Sequence, residues 1–310
     1  MTSNTGNETP YSHLTPHTRS FLEKSKTERI EETMREKWIG YPRAKDALTQ
    51  LHDLINAPKT HRPDYFMIVG ESNNGKTMII ERFLRDFPAD DNPSGEAASV
   101  PVMFVQTPYR PDPRALYGDI LDQMFATYRQ STPIGKLQTQ AISLMEGCGV
   151  RMIILDEIHN AGDDSPTKVS QFLNLIRYLG NRMKVPVVCL GVPKGLSMLQ
   201  SDTQLANRVI PFHLPEWEDD IEYRRLLNSY ESLIPLKKPS GLAQDQVAAH
   251  IREKAGNTIG EALKLIRKAA VYSIKNDKDK IDLQSIRNCN YVRIKDRTFR
   301  NLKSKKRGKE

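Results

Sequence analysis

Short apolar runs separated by longer amphipathic stretches set the rhythm of the first two thirds of the chain. Tyr65 to Val69, Val100 to Gln106, Val150 to Leu155, Val185 to Leu190 and Val209 to Leu214 are brief and mostly apolar, as buried strands are. Between them, Met78 to Phe87, Pro113 to Tyr128, Ile134 to Met145 and Lys168 to Gly180 carry helical spacing, with Phe172, Leu173, Leu175, Ile176 and Leu179 on or near one face. Upstream, Arg19 to Lys37 and Arg43 to Ile55 also predict helices. Strands alternating with helices at this spacing predict a parallel sheet covered on both faces, an α/β fold. After Pro215 no strand is predicted. Ile221 to Leu233, Ala243 to Lys254 and Glu261 to Ile274 read as helices of a small all-helical domain. Residues 1 to 18, polar and rich in Thr, Asn and Pro, predict disorder. The expected layout is therefore 1–18 disordered, 19–215 an α/β domain with an N-terminal helical extension, 216–290 a helical lid and 291–310 a tail. No internal repeat is visible.

Composition narrows the picture. The 310 residues are 38% hydrophobic and 27% charged, ordinary globular values. No apolar run approaches the ~18 residues that span a bilayer, and residues 1 to 16 lack the apolar core of a secretory signal. Cys148, Cys189 and Cys289 lie far apart without metal-ligand spacing, so buried free thiols in a reducing cytoplasm are expected. The net charge of +8 is unevenly spread. Arg293 to Glu310 holds nine Lys/Arg against two acids, net +7, which leaves about +1 for the body. A basic tail, not a global basic field, is thus the only nucleic-acid signal in the charge balance.

The chemistry sits in two motifs. Gly70-Glu-Ser-Asn-Asn-Gly75-Lys76-Thr77 falls where the first strand hands over to a helix. Glycines let backbone N–H groups curl around phosphate oxygens, and the helix N-terminus adds its positive end. Gly70, Asn73, Asn74, Gly75, Lys76, Thr77 and Met78 are the expected nucleotide-binding residues. Lys76 reaches the β- and γ-phosphates of ATP, and the Thr77 hydroxyl ligates Mg²⁺. Arg151-Met-Ile-Ile-Leu-Asp156-Glu157 is the partner: a buried strand delivers Asp156 toward the Mg²⁺ shell and Glu157 toward the attacking water. Adjacent carboxylates at this point favour hydrolysis over simple binding. Asp156-Glu-Ile-His159 also spells a helicase box, but the ~95 residues after Pro215 leave no room for the second motor domain. His159 is read as a polar residue past the strand end.

Through these motifs the chain resembles AAA+ ATPases, and more narrowly the TniB/TnsC-type transposition regulators, over roughly residues 30 to 275. The resemblance is carried by the phosphate loop, Trp38-Ile-Gly-Tyr-Pro-Arg43, Gly147-Cys-Gly-Val-Arg-Met-Ile-Ile-Leu-Asp-Glu157, Phe172 to Asn181, Pro186-Val-Val-Cys-Leu-Gly191 and Gln204-Leu-Ala-Asn-Arg208. The Trp38 to Pro42 and Leu205 to Arg208 blocks narrow it, since the two ATPase motifs are common to the superfamily. The resemblance implies a homo-oligomeric ring or filament that assembles on duplex DNA with ATP and recruits a transposase to a site chosen by a target selector. It makes Arg208 the arginine finger, acting on the neighbouring subunit's γ-phosphate. It also lines the adenine pocket with Trp38, Ile39 and Tyr41, and puts DNA contacts near Arg129, Thr132 and Lys136. Duplex phosphates there would meet cations, hydroxyls and backbone amides.

Two departures from the family pattern stand out. The fourth strand ends Leu190-Gly191-Val192-Pro193 without the usual polar water sensor, and Gly256-Asn-Thr-Ile-Gly-Glu261 stands where a lid arginine often touches phosphate. Both absences imply slow hydrolysis, a timer more than a motor. Two other readings stay open: a helicase-loader or replication-initiator ATPase, and a nucleotide-switched binding module that never hydrolyses.

Overall fold

The computed structural model describes residues 10–91 and 98–297. The helices in chain order are α1 (Pro16–Ser20), α2 (Lys26–Met34), α3 (Pro42–Asn56), α4 (Lys76–Leu84), α5 (Pro113–Gln123), α6 (Ile134–Gly147) and α7 (Pro166–Met183). They continue with α8 (Pro193–Gln200), α9 (Thr203–Ala206), α10 (Ile221–Glu231), α11 (Asp245–Ala255), α12 (Ile259–Lys275) and α13 (Leu283–Asn288). The strands are β1 (Tyr65–Gly70), β2 (Val102–Gln106), β3 (Met152–Asp156), β4 (Val187–Gly191) and β5 (Val209–Leu214). The chain divides into two units, Pro42–Pro215 and Met1–Tyr41 with Glu216–Glu310.

All five strands pair in parallel, in the order β2-β3-β4-β1-β5. Every residue of β1, β3 and β4 is buried, because helices cover both faces of an interior parallel strand. One face packs Tyr65, Met67 and Val69 against Leu116, Ile120, Leu137, Ile142, Phe172 and Ile176. On α3 the buried positions Ala44, Ala47, Leu51 and Ile55 recur at helical spacing. Gly70 closes β1 because a Cβ there would stand 3.0 Å from the Leu214 carbonyl oxygen of β5. In α7, Gly180 makes room for Tyr65, whose hydroxyl a Cβ would meet at 2.7 Å.

The helical unit has its own core, built on Tyr223, Leu227, Ile251, Leu265, Ile266 and Ile286. Buried Glu261 accepts hydrogen bonds from the Tyr291 hydroxyl, 2.7 Å away, and from Arg297. Burial works to raise the Glu261 pKa, but these donors outweigh it and hold the carboxyl below its usual range.

Two expected boundaries move. Residues 19–41 group with the helical unit, not with the α/β domain: Arg29 donates to the Pro235 carbonyl at 2.7 Å, and Lys37 bonds both Glu32 and the Leu233 carbonyl. Residues 10–18, expected to be disordered, carry a buried Leu14 and start α1 behind a Thr15 cap. The rest of that segment, and the tail beyond Arg297, lie outside the described residues. Cys189 and Cys289 are buried, Cys148 is half-buried, and all three are free. Burial pushes the Cys189 thiol up to about 12. Among the described residues no helix is long and apolar enough to cross a membrane.

Candidate nucleotide and DNA sites

The phosphate loop leaves the C-terminal end of β1, an interior strand, and α4 begins at Lys76. The turn uses two left-handed residues, Asn73 at φ 61° and Gly75 at φ 88°, conformations that cost an L side chain energy and suit Asn and Gly. Asn74 is buried. Its amide nitrogen donates to the carbonyls of Leu214 and Pro215 at 3.0 and 2.8 Å, while its Oδ1 has no partner. The Asn74 side chain thus ties the loop to the end of β5, a role the sequence does not announce. Met78, on the first turn of α4, is half-buried.

Lys76 is 5% exposed and donates to the Gly70 and Glu71 carbonyls at 2.8 and 2.9 Å. Burial lowers its pKa, opposed by the charges of Glu157, Asp156 and Glu71. The Thr77 hydroxyl donates to Asp156 Oδ2 at 3.1 Å, so the two expected Mg²⁺ ligands meet across the sheet. Asp156 Oδ1 accepts the Glu157 backbone N–H at 2.7 Å. A hydroxyl and a carboxylate side by side are hard oxygen donors of the kind Mg²⁺ takes, with the buried Lys76 ammonium beside them for phosphate. The residues fit the nucleotide and the metal.

Glu157 stands in the left-handed region, φ 52°. Such strain is tolerated where surrounding structure enforces it, often at functional sites. Its carboxylate pairs with His159 Nε2 at 3.2 Å. Sequence reading missed this pairing. The 3₁₀ turn Ile158–Gly162 carries His159 and Ile158 over the end of β4. A Cβ on Gly191 would lie 3.1 Å from Ile158 and 3.4 Å from His159 Nδ1, and one on Gly195 would lie 2.9 Å from Ile158. The turn therefore packs closely against the end of β4 and the start of α8.

Arg208 precedes β5, at the opposite end of the sheet from the loop. Tyr65 pairs with Val209 and Gly70 with Leu214, so a strand of six residues, roughly 20 Å, separates Arg208 from its own phosphate loop. It bonds Asn181 Oδ1 through both terminal nitrogens at 3.1 Å and lies 5.7 Å from the Tyr65 ring centroid. Burial pushes the Tyr65 hydroxyl up to about 12, with Arg208 pulling the other way. Trp38, Ile39 and Tyr41 belong to the helical unit. There Tyr41 meets Trp217 edge to face at 4.9 Å, and Ile39 packs on the helical core.

Arg129 and Thr132 lie in the loop between α5 and α6, and Lys136 on the first turn of α6. Arg129 and Lys136 are exposed and Thr132 half-buried. Arg114, which sequence reading did not single out, braces the loop by donating to the carbonyls of Gln130 and Thr132, both at 2.8 Å.

The parallel sheet in this order, with a phosphate loop on one interior strand and an Asp-Glu pair on another, defines a P-loop protein of the AAA+ fold class. Its residues 29–219 match the family profile described as bacterial TniB protein. The chain belongs to that family. Solved structures share the fold at low identity. The ORC1 protein of Aeropyrum pernix in complex with DNA has a TM-score of 0.61 at 13% identity, over 84% of this chain and 68% of that one. The ORC2 protein of the same organism, in ADPNP-ADP complexes, gives 0.60 at 15%, over 83% and 71%. CDC6p of Pyrobaculum aerophilum gives 0.56 at 15%, over 84% and 70%. No curated protein matches the chain by sequence.

Proposed function

We propose that this protein is an ATP-hydrolysing regulator of DNA transposition in the bacterial cytoplasm, which oligomerises on duplex DNA with ATP and recruits or activates a transposase at a selected target. The observation that carries the reading is the convergence of Lys76, Thr77, Asp156 and Glu157 on the C-terminal ends of β1 and β3. Bound Mg²⁺ would neutralise the phosphate charge and orient it. Lys76 holds the β- and γ-phosphates, Thr77 and Asp156 hold the metal, and Glu157 polarises the attacking water. Arg208, too far from its own loop, serves a neighbouring subunit. Arg129, Thr132 and Lys136 hold duplex phosphates. Hydrolysis is slow, because the residues that end β4 include no polar side chain for the γ-phosphate.

Membership of the TniB family supports the transposition context, and the DNA complex of the Aeropyrum pernix ORC1 protein, which has the same fold, supports a DNA partner. The test is ATP turnover and electron microscopy with duplex DNA. The expected result is slow turnover abolished by Lys76→Ala and by Glu157→Gln, with ordered assemblies on DNA only when ATP is present. Assembly with no turnover under any condition would leave a nucleotide-switched module in its place.

A further inference from the structure

Phe125 is 95% exposed and has a backbone φ of 53°. A lone exposed apolar side chain is ordinary. The slot this one occupies is not. At the end of α5 the Phe125 N–H bonds the Asp122 carbonyl at 3.0 Å, and the Ala126 N–H bonds the Leu121 carbonyl at 2.9 Å. These are the two bonds of a helix C-terminal motif whose left-handed residue is usually glycine. A phenylalanine there sets both backbone and solvation against itself.

The loop that follows is held firmly. Gln140 donates to the Thr127 carbonyl at 3.2 Å, Arg114 braces Gln130 and Thr132, and Tyr128 reaches back to Asp122. Met124, Ala126 and Tyr128 pack toward the core, whereas Phe125, Thr127 and Arg129 are exposed. An aromatic ring, a hydroxyl and a guanidinium therefore alternate along the outward row. Residues 124–136 contain no acid. The nearest carboxylate in sequence, Asp122, is exposed and takes the Tyr128 hydroxyl. A row of cations and hydroxyls that itself holds no acid fits a polyanion, and an aromatic among them fits its sugars and base edges.

We propose that Phe125 is a contact residue for duplex DNA, its ring seated in a groove against sugars and base edges while Arg129 and Lys136 hold the flanking phosphates. The proposal rests on the DNA-binding reading above and adds an apolar component to it. Apolar packing releases no counterions, so removing it lowers affinity without changing the slope of affinity against salt. The decisive variant is Phe125→Gly, since glycine is at ease in the left-handed slot and the protein should melt no lower than the unaltered chain.

Expected with ATP and a duplex of mixed sequence is a loss of about 10- to 100-fold in affinity, the scale of uncovering one apolar side chain, a parallel salt plot, and unchanged ATP-dependent assembly without DNA. Phe125→Trp should keep most of the affinity. Equal affinity for Phe125→Gly and the unaltered chain overturns the assignment. So does loss of assembly without DNA, which would mean that a second copy covers the ring. If the unaltered chain binds no duplex at all, the DNA-binding reading itself falls.

Discussion

His159 Nε2 lies 3.2 Å from Glu157 Oε2, and both side chains are mostly shielded from solvent. A hydrogen on Nε2 makes this pair a hydrogen bond. His159 Nδ1 is then a bare acceptor, buried and without a partner. The imidazole stands close over Gly191, where a Cβ would lie 3.4 Å from its Nδ1. In the proposed mechanism it touches neither nucleotide nor water and would act only through Glu157, as a positioning residue. His159→Ala should leave ATP affinity unchanged and lower kcat between about tenfold and a hundredfold, the usual cost of a misplaced reacting group. His159→Gln, with an amide donor at similar reach, should recover part of it. Equal kcat for all three proteins would show that the pairing is idle.

The Arg208 prediction concerns two subunits. Arg208→Ala should keep ATP binding and lose hydrolysis, because its guanidinium sits a strand length from its own loop. Mixing it with Lys76→Ala should restore some turnover, as mixed interfaces pair an intact loop with an intact arginine. A mixture as inactive as its parents, with co-assembly demonstrated, would exclude action in trans. Asn181→Ala removes the oxygen that now holds Arg208 and should have a smaller effect.

Duplex binding should depend steeply on salt. Removing one cation from one backbone phosphate should flatten the log–log slope by roughly 0.9, multiplied by the subunits engaged. Lys136→Ala should therefore weaken all duplexes alike and reduce the slope. A binding defect confined to deletion of residues 303–310, with no effect of Lys136→Ala, would assign the grip to the tail.

Asn74 gives a stability test. Asn74→Ala leaves the Leu214 and Pro215 carbonyls short of their donor and should cost about 1–3 kcal/mol in chemical denaturation. Asn74→Asp should cost more, because a carboxylate would face the same two carbonyl oxygens. Stability of both variants equal to that of the unaltered chain would mean that the loop is held by its backbone alone.

The fold is legible in the sequence because its signals are local. Each strand shows as a short, mostly apolar run, and β5 has the predicted bounds. The phosphate loop and acidic pair are legible because their chemistry tolerates few residue types. Short α8 and α9 are not, since eight and four residues carry too little periodicity. Residues 19–37 show which face of a helix is apolar, but not which distant segment covers it. Their grouping with residues 216–297 depends on pairings far apart in sequence, such as Arg29 with Pro235. His159 is easily passed over because the box around it belongs to another family, although two residues beyond Glu157 is close enough to reach it. Phe125 carries no signal at all, for exposure and a left-handed φ are tertiary facts.

The helical unit is assembled from segments on either side of the sheet unit, and this has a consequence during synthesis. Residues 10–41 leave the ribosome before the sheet unit, yet the groups they bond, the carbonyls of Ser232, Leu233, Pro235 and Leu236, follow about two hundred positions later. Meanwhile the sheet unit, contiguous from Pro42 to Pro215, has everything it needs to form. A nascent or prematurely ended chain therefore presents a folded sheet unit with the apolar residues of its leading segment uncovered, Ile30, Ile39 and Tyr41 among them. Synthesis of residues 216–297 hides them, so a finished chain is distinguished from shorter fragments by what residues 10–41 no longer expose.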